Sequence, residues 1–215
     1  MDFWLVILVS LVGLCFLIFN TLTFFINRNN IPDISKLFVW YLVVLSLVEI
    51  SCNLIGVIKP NANFFVSHFY FGFQFIFLSL LYYKLLQHRF IKILILIIGI
   101  IQMLYITSIY MGDIKLFWNF NTYEIVSTST ILMVYALYFI FSNFEIEHHY
   151  FNFSIGLILY LCCSITIFLS DNLDLVLLEK PFIDIWIFNS LFYILFQYFI
   201  FREFRFFKRN PILHK

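Results

Sequence analysis

The sequence predicts an all-α membrane protein, a seven-transmembrane-helix bundle with its N-terminus outside and its C-terminus cytoplasmic. Three observations carry that expectation. Of 215 residues, 63% are hydrophobic and 12% charged, where a soluble domain has about 45–50% and about 25%. Aromatic residues make up 22%, which leaves too little polar surface for a soluble enzyme, a nucleic-acid binder, a disordered chain or a disulfide scaffold. Lysine and arginine, finally, are distributed unevenly between alternate connections.

A helix needs about 20 apolar residues to cross about 30 Å of hydrocarbon. The segments that qualify are 3–26, 37–58, 64–86, 90–111, 123–143, 152–170 and 183–201, which form one domain over 1–201 with a basic tail at 202–215. Stretches such as 91–101 are apolar on both parities, which excludes the alternation of barrel strands. Pro32, Pro60, Pro181 and Pro211 all fall between or after these segments, where a missing N–H donor does no harm. No Gly-x-x-x-Gly pair occurs in a span, so the helices are expected to pack through large Phe, Leu and Ile side chains.

Seven spans place ten cations on one side (Arg28, Lys36, Lys84, Arg89, Lys92, Arg202, Arg205, Lys208, Arg209 and Lys215) and three on the other (Lys59, Lys115 and Lys180). The cationic side is the cytoplasmic one, and a six- or eight-span count would blur the split. Trp4, Trp118 and Trp186 then fall near outer ends and Trp40 near an inner end, as interfacial anchors do. The tail has one acid against five cations, so contact with anionic lipid headgroups is expected. Met1-Asp2-Phe3-Trp4 lacks the positive start of a secretory signal, and the first helix is expected to stay. Cys15, Cys52, Cys162 and Cys163 lie inside spans as small apolar side chains. No connection exceeds about 14 residues, so no soluble catalytic or output domain is expected.

Against that apolar background a few polar residues stand out. Glu49 lies midway along the second span, where an acid costs on the order of 3 kcal/mol. Ser46, Glu49, Asn53 and Gly56 form one stripe, expected to face the interior and the outer half. It reads either as a ligand, ion or proton site, or as a buried hydrogen bond with Glu49 protonated. In the third span His68, Gly72, Phe75, Ser79 and Tyr82 form a stripe, with Ser67, Tyr70 and Gln74 beside it. His68 sits one to two turns above Glu49; beside a carboxylate it makes a proton acceptor or ligand hook, and otherwise a wetted interfacial histidine.

Glu124 follows Asn121 by three residues, close to a capping box, with Ser127 and Thr128 on its face. In the seventh span Asn189, Tyr193 and Gln197 share one face. The expected outer-half pocket is therefore built from Glu49, Asn53, His68, Gln74, Glu124, Ser127, Asn189 and Tyr193. Glu145-Ile146-Glu147-His148-His149 looks metal-like, but adjacent histidines rarely reach one ion, and the run reads as a wet connection without metal. Asn20 and Thr21, near the inner end of the first helix, read as ordinary polar packing or interface residues.

The run His68-Phe69-Tyr70-Phe71-Gly72-Phe73-Gln74-Phe75-Ile76-Phe77-Leu78-Ser79-Leu80, preceded by Lys59-Pro60-Asn61-Ala62-Asn63-Phe64, resembles a segment of small seven-helix bacterial integral membrane proteins with no assigned activity. The resemblance extends loosely over most of the chain. It implies the fold and a multi-pass place in the bacterial cytoplasmic (inner) membrane, not a mechanism. In the proteins it resembles the position of Gln74 is often acidic, and the departure here weakens a proton-transfer role there.

Three functions compete. The first is binding or sensing of a small polar ligand, ion or lipid headgroup, without turnover, through a membrane or signalling partner. Retinal is excluded because the seventh span has no lysine for a Schiff base. The second is a small three-plus-one-plus-three transporter, disfavoured because no span contains proline. The third and weakest is an intramembrane lipid hydrolase using Glu49, His68 and Glu124 with Ser127 as nucleophile, which no motif supports. No cofactor, metal or nucleic acid is implied.

Overall fold

A backbone in hydrocarbon must satisfy its own hydrogen bonds, and a chain this rich in Leu, Ile and Phe does so as helix. The computed structural model describes residues 2–30, 33–59, 63–119, 121–143, 148–172 and 185–209. Among them are seven α-helices and no strand: α1 (Asp2–Ile26), α2 (Asp33–Ile58), α3 (Phe64–Leu85), α4 (Arg89–Gly112), α5 (Thr122–Ser142), α6 (Phe151–Asn172) and α7 (Ile185–Arg209). Short 3-10 turns follow α1 (Arg28–Asn30) and α4 (Ile114–Trp118). The four prolines, Lys180, Glu145, Glu147, residues 210–215 and the side chains of Trp4 and Trp186 lie outside the described residues.

Six helices, α1 to α6, are long and apolar enough to cross a membrane, which suggests a multi-pass membrane protein. Two boundaries differ from expectation. α2 begins at Asp33, before the apolar run. α7 does not end at 201 but carries the first part of the basic tail as helix to Arg209. Its last turns hold Arg202, Arg205, Lys208 and Arg209 as exposed charges, while Phe207 and Glu203 turn inward and are buried.

The chain forms two compact units, 33–135 and 1–32 with 136–215. In the first, α3 packs on both α2 and α4. Phe38, Tyr41, Leu42, Phe75, Leu78 and Tyr82 are fully buried there. The outer face of α4 presents Ile93, Leu96, Ile97, Ile100, Ile101 and Leu104, all exposed.

In the second unit α7 packs on α1 and α6. Tyr160 and Phe196 stack with ring centres 5.4 Å apart, and Phe24 meets Phe204 and Phe207 edge-on. Small residues matter more here than expected. A Cβ on Gly156 would lie 2.5 Å from Phe199 Cβ, so α6 approaches α7 closely only because that position is glycine. Gly13 likewise leaves room for the Tyr193 ring, 2.9 Å from where its Cβ would be. The absence of a paired glycine motif hid both contacts.

Candidate functional site

The strongest concentration of polar chemistry lies where α3 begins, α4 ends and α5 begins. Asn121 precedes α5 and its Oδ1 accepts the N–H of Tyr123 (3.1 Å) and of Glu124 (3.4 Å). That holds the first turn and leaves the Glu124 side chain free to turn away from its own backbone. It turns to α3. His68 Nδ1 lies 2.6 Å from Glu124 Oε2, with both residues buried. Tyr110, from the last turn of α4, donates its hydroxyl proton to the same carboxylate oxygen and lies 2.8 Å from His68 Nδ1.

The protons can be assigned by donor and acceptor type. His68 Nε2 is 3.1 Å from the Asn119 carbonyl oxygen, which only accepts, so Nε2 carries hydrogen. Tyr110 has one proton and spends it on Oε2. The remaining close contact, Nδ1 to Oε2, would set two lone pairs against each other unless a proton lies between them. His68 and Glu124 therefore share one proton. A carboxylate and an imidazole that do so avoid an uncompensated buried charge, which otherwise costs several kcal/mol.

The 3-10 turn Ile114–Trp118 covers this cluster. The Asp113 side chain accepts the Lys115 N–H at 2.9 Å, which starts the turn. Phe117 then lies stacked on the His68 ring at 5.4 Å, with Phe65 and Trp118 beyond it. The cluster is closed on the imidazole side and more open at Tyr110, which is only half-buried.

The expected site residues divide. His68 and Glu124 come together, so the carboxylate beside the histidine is Glu124 and not Glu49. Ser127 adjoins them on α5: its hydroxyl donates to the Glu124 carbonyl (3.1 Å) and accepts from Gln102 Nε2 (2.6 Å). Both bonds tie it to structure, which does not suit a nucleophile. Glu49 is half-buried and its carboxylate has no hydrogen bond among the described residues. Asn53 bonds back to the Glu49 carbonyl at 2.9 Å, so its amide is satisfied within α2. Gln74 is buried in the core of its unit, and its Nε2 has no partner among the described residues. Asn189 and Tyr193 belong to the other unit. There Asn189 Oδ1 accepts from Ser164 at 2.7 Å, and Tyr193 packs on Tyr160.

Four features were not foreseen. Tyr110 is one of 13 tyrosines in an aromatic-rich chain, and nothing in its spacing marks it. Gln102, a buried amide in α4, had a signal, since it interrupts an apolar run. Glu203 reads in the sequence only as a tail charge. It is fully buried and accepts the N–H groups of Tyr150 (2.5 Å) and Phe153 (3.3 Å), capping α6 from α7. Asn20 is likewise more than ordinary packing, for its Nδ2 donates to both the main-chain oxygen (2.8 Å) and Oε1 (3.0 Å) of Gln197.

The wet-connection reading of His148-His149 needs correction for His149. Its ring stacks on Phe207 at 4.4 Å and meets Phe206 edge-on, so it belongs to the packing of α7. Among the described residues no group of three His, Cys, Asp or Glu side chains is arranged to hold a metal. The chain matches no protein-family model, no curated protein and no solved structure.

Proposed function

We propose that the chain is a seven-span integral protein of a bacterial cytoplasmic membrane, N-terminus outside, that recognises a small polar ligand at the outer end of α3, α4 and α5 and acts through a partner protein. The ten-to-three distribution of cations supports the orientation, and the apolar exposed face of α4 suits lipid contact. On this reading α7 is the seventh span, its apolar part running to Phe201.

The observation that carries the proposal is the His68–Glu124–Tyr110 triangle. A buried acid and histidine that share a proton, with a half-exposed hydroxyl as third member, form an exchangeable hydrogen-bonding site. A ligand hydroxyl, amide or carboxylate that replaces the Tyr110 hydroxyl finds a donor and an acceptor already oriented. That exchange shifts the end of α4 relative to α3 and α5, which is a movement a partner can read. Turnover is not part of the proposal: the Ser127 hydroxyl donates to the Glu124 carbonyl and accepts from the Gln102 amide.

A thermal-shift screen of the purified protein against amino acids, sugars, polyols and short carboxylic acids tests this. A compound that stabilises the parent but neither His68→Gln nor Glu124→Gln supports the site. If every stabilising compound acts equally on all three proteins, the cluster is structural only. Flux of such a compound into vesicles would favour transport over sensing.

A further inference from the structure

A second polar feature, at the end of α7, is separate from the His68 cluster. Tyr198, Arg202, Arg205 and Arg209 follow one another at steps of four, three and four, which places them on one helix face. The row spans about 16 Å along the helix. Asn152, in the first turn of α6, stands across from it, and with Phe206 these residues line a groove of about 290 Å³. The three guanidinium groups are exposed and make no ion pair among the described residues.

Among the described residues no acid lines the groove. Glu203 lies on the same stretch but faces inward, where it holds the N–H groups of Tyr150 and Phe153 and bonds to Asn152. The one carboxylate within α7 is thus committed elsewhere. Three like charges around one groove repel each other, and an anion between them relieves that repulsion. Guanidinium forks match the oxygens of a phosphoryl group, which accept several charge-assisted hydrogen bonds at once.

We propose that the groove formed by Asn152, Tyr198, Arg202, Arg205 and Arg209 binds a phosphoryl group. The row supports a lipid phosphate in particular. Its Tyr198 end adjoins the apolar part of α7 and its Arg209 end does not, so a phosphate at Arg202 and Arg205 leaves the glycerol and acyl chains toward Tyr198. This differs from a diffuse attraction of a basic tail to anionic lipid, because it depends on the position of each arginine and not on the charge alone.

The discriminating comparison sets Arg205→Gln against Lys208→Gln in the full chain. Both remove one positive charge from adjacent turns of α7, but Lys208 does not line the groove. Binding of dioctanoyl phosphatidate, dioctanoyl phosphatidylcholine and inorganic phosphate is measured by titration calorimetry in detergent. Phosphatidate is expected to bind about tenfold more weakly to Arg205→Gln, several-fold more weakly to Arg205→Lys, and within about twofold of the parent to Lys208→Gln. Arg202→Gln repeats the test should Arg205→Gln lose its helical circular dichroism. Inorganic phosphate binding with the same arginine dependence, and no advantage for phosphatidate, supports the phosphoryl site and assigns it to soluble phosphate. Phosphatidylcholine binding with the same arginine dependence assigns the site to the lipid phosphodiester, whereas equal losses in Arg205→Gln and Lys208→Gln, or no loss in Arg205→Gln and Arg202→Gln, overturns the proposal.

Discussion

The Glu203 carboxylate in α7 accepts the main-chain N–H of Tyr150 at 2.5 Å, where Tyr150 stands just before α6 in a left-handed conformation with φ of 70°. A left-handed non-glycine residue costs on the order of 1–2 kcal/mol, so it persists only where its surroundings hold it. Here the holding comes from an acid on another helix that also satisfies the N–H of Phe153. The start of α6 and the end of α7 are therefore one structural joint.

That joint responds to pH. Burial pushes the Glu203 carboxyl up from 4.5 to about 7, against the pull of the N–H donors of Tyr150, Phe153 and Asn152. A folded-state value above the unfolded one means that Glu203 contributes most stability below about pH 4.5, and that this contribution is lost as pH rises toward 7 and beyond. The parent is expected to lose up to about 3 kcal/mol between pH 5 and 8 from this group. Glu203→Gln flattens the slope, as read from unfolding titrations in SDS at several pH values. An identical slope in the variant would contradict the assignment.

Gly156→Ala is expected to destabilise by about 1–3 kcal/mol, because its new Cβ meets Phe199 Cβ at 2.5 Å. Phe199→Ala retains that Cβ and leaves most of the defect. The same SDS titration measures both, and a neutral Gly156→Ala would show that α6 and α7 yield easily at this point.

Asn20 and Gln197 join α1 to α7 through two bonds from one amide. Hydrogen bonds between helices in lipid are worth about 0.6 kcal/mol on average and up to about 1.7. Because Asn20 Nδ2 contacts both the side chain and the backbone of Gln197, a double-mutant cycle with Asn20→Ala and Gln197→Ala is expected to give a coupling of about 1 kcal/mol. Strict additivity would mean that the backbone contact carries the interaction alone.

Ser127 gives its hydroxyl proton to a carbonyl and receives one from Gln102. A serine held in this way is not activated, and a fluorophosphonate probe is expected to leave it unlabelled. Labelling at Ser127 that disappears in His68→Gln would instead reinstate the hydrolase reading.

How much of this the sequence reveals depends on contrast. His68 and Glu124 stand out in the sequence because each is a titratable group in an apolar setting. Their pairing did not show, since Glu49 lay at a comparable depth and helix periodicity says nothing about which helices adjoin. The capping reading of Glu124 rested on a true signal, Asn121, but the cap comes from Asn121 while Glu124 turns to α3. Glu203 was invisible for the opposite reason. Among five cations it looked like solvated charge, and only the inward face of α7 distinguishes it from Arg202 and Arg205. Gly156 carried no motif, because a single close approach needs only one glycine.

His68 and Glu124 act as a single proton-sharing unit, and a double-mutant cycle tests that most directly. The stabilities of His68→Gln, Glu124→Gln and the double variant are compared with the parent by SDS titration. Each single change is expected to cost about 3 kcal/mol by leaving a buried partner uncompensated, and the double change no more than either alone. Losses that simply add would show two independent side chains and would contradict the shared proton on which the proposed recognition site depends.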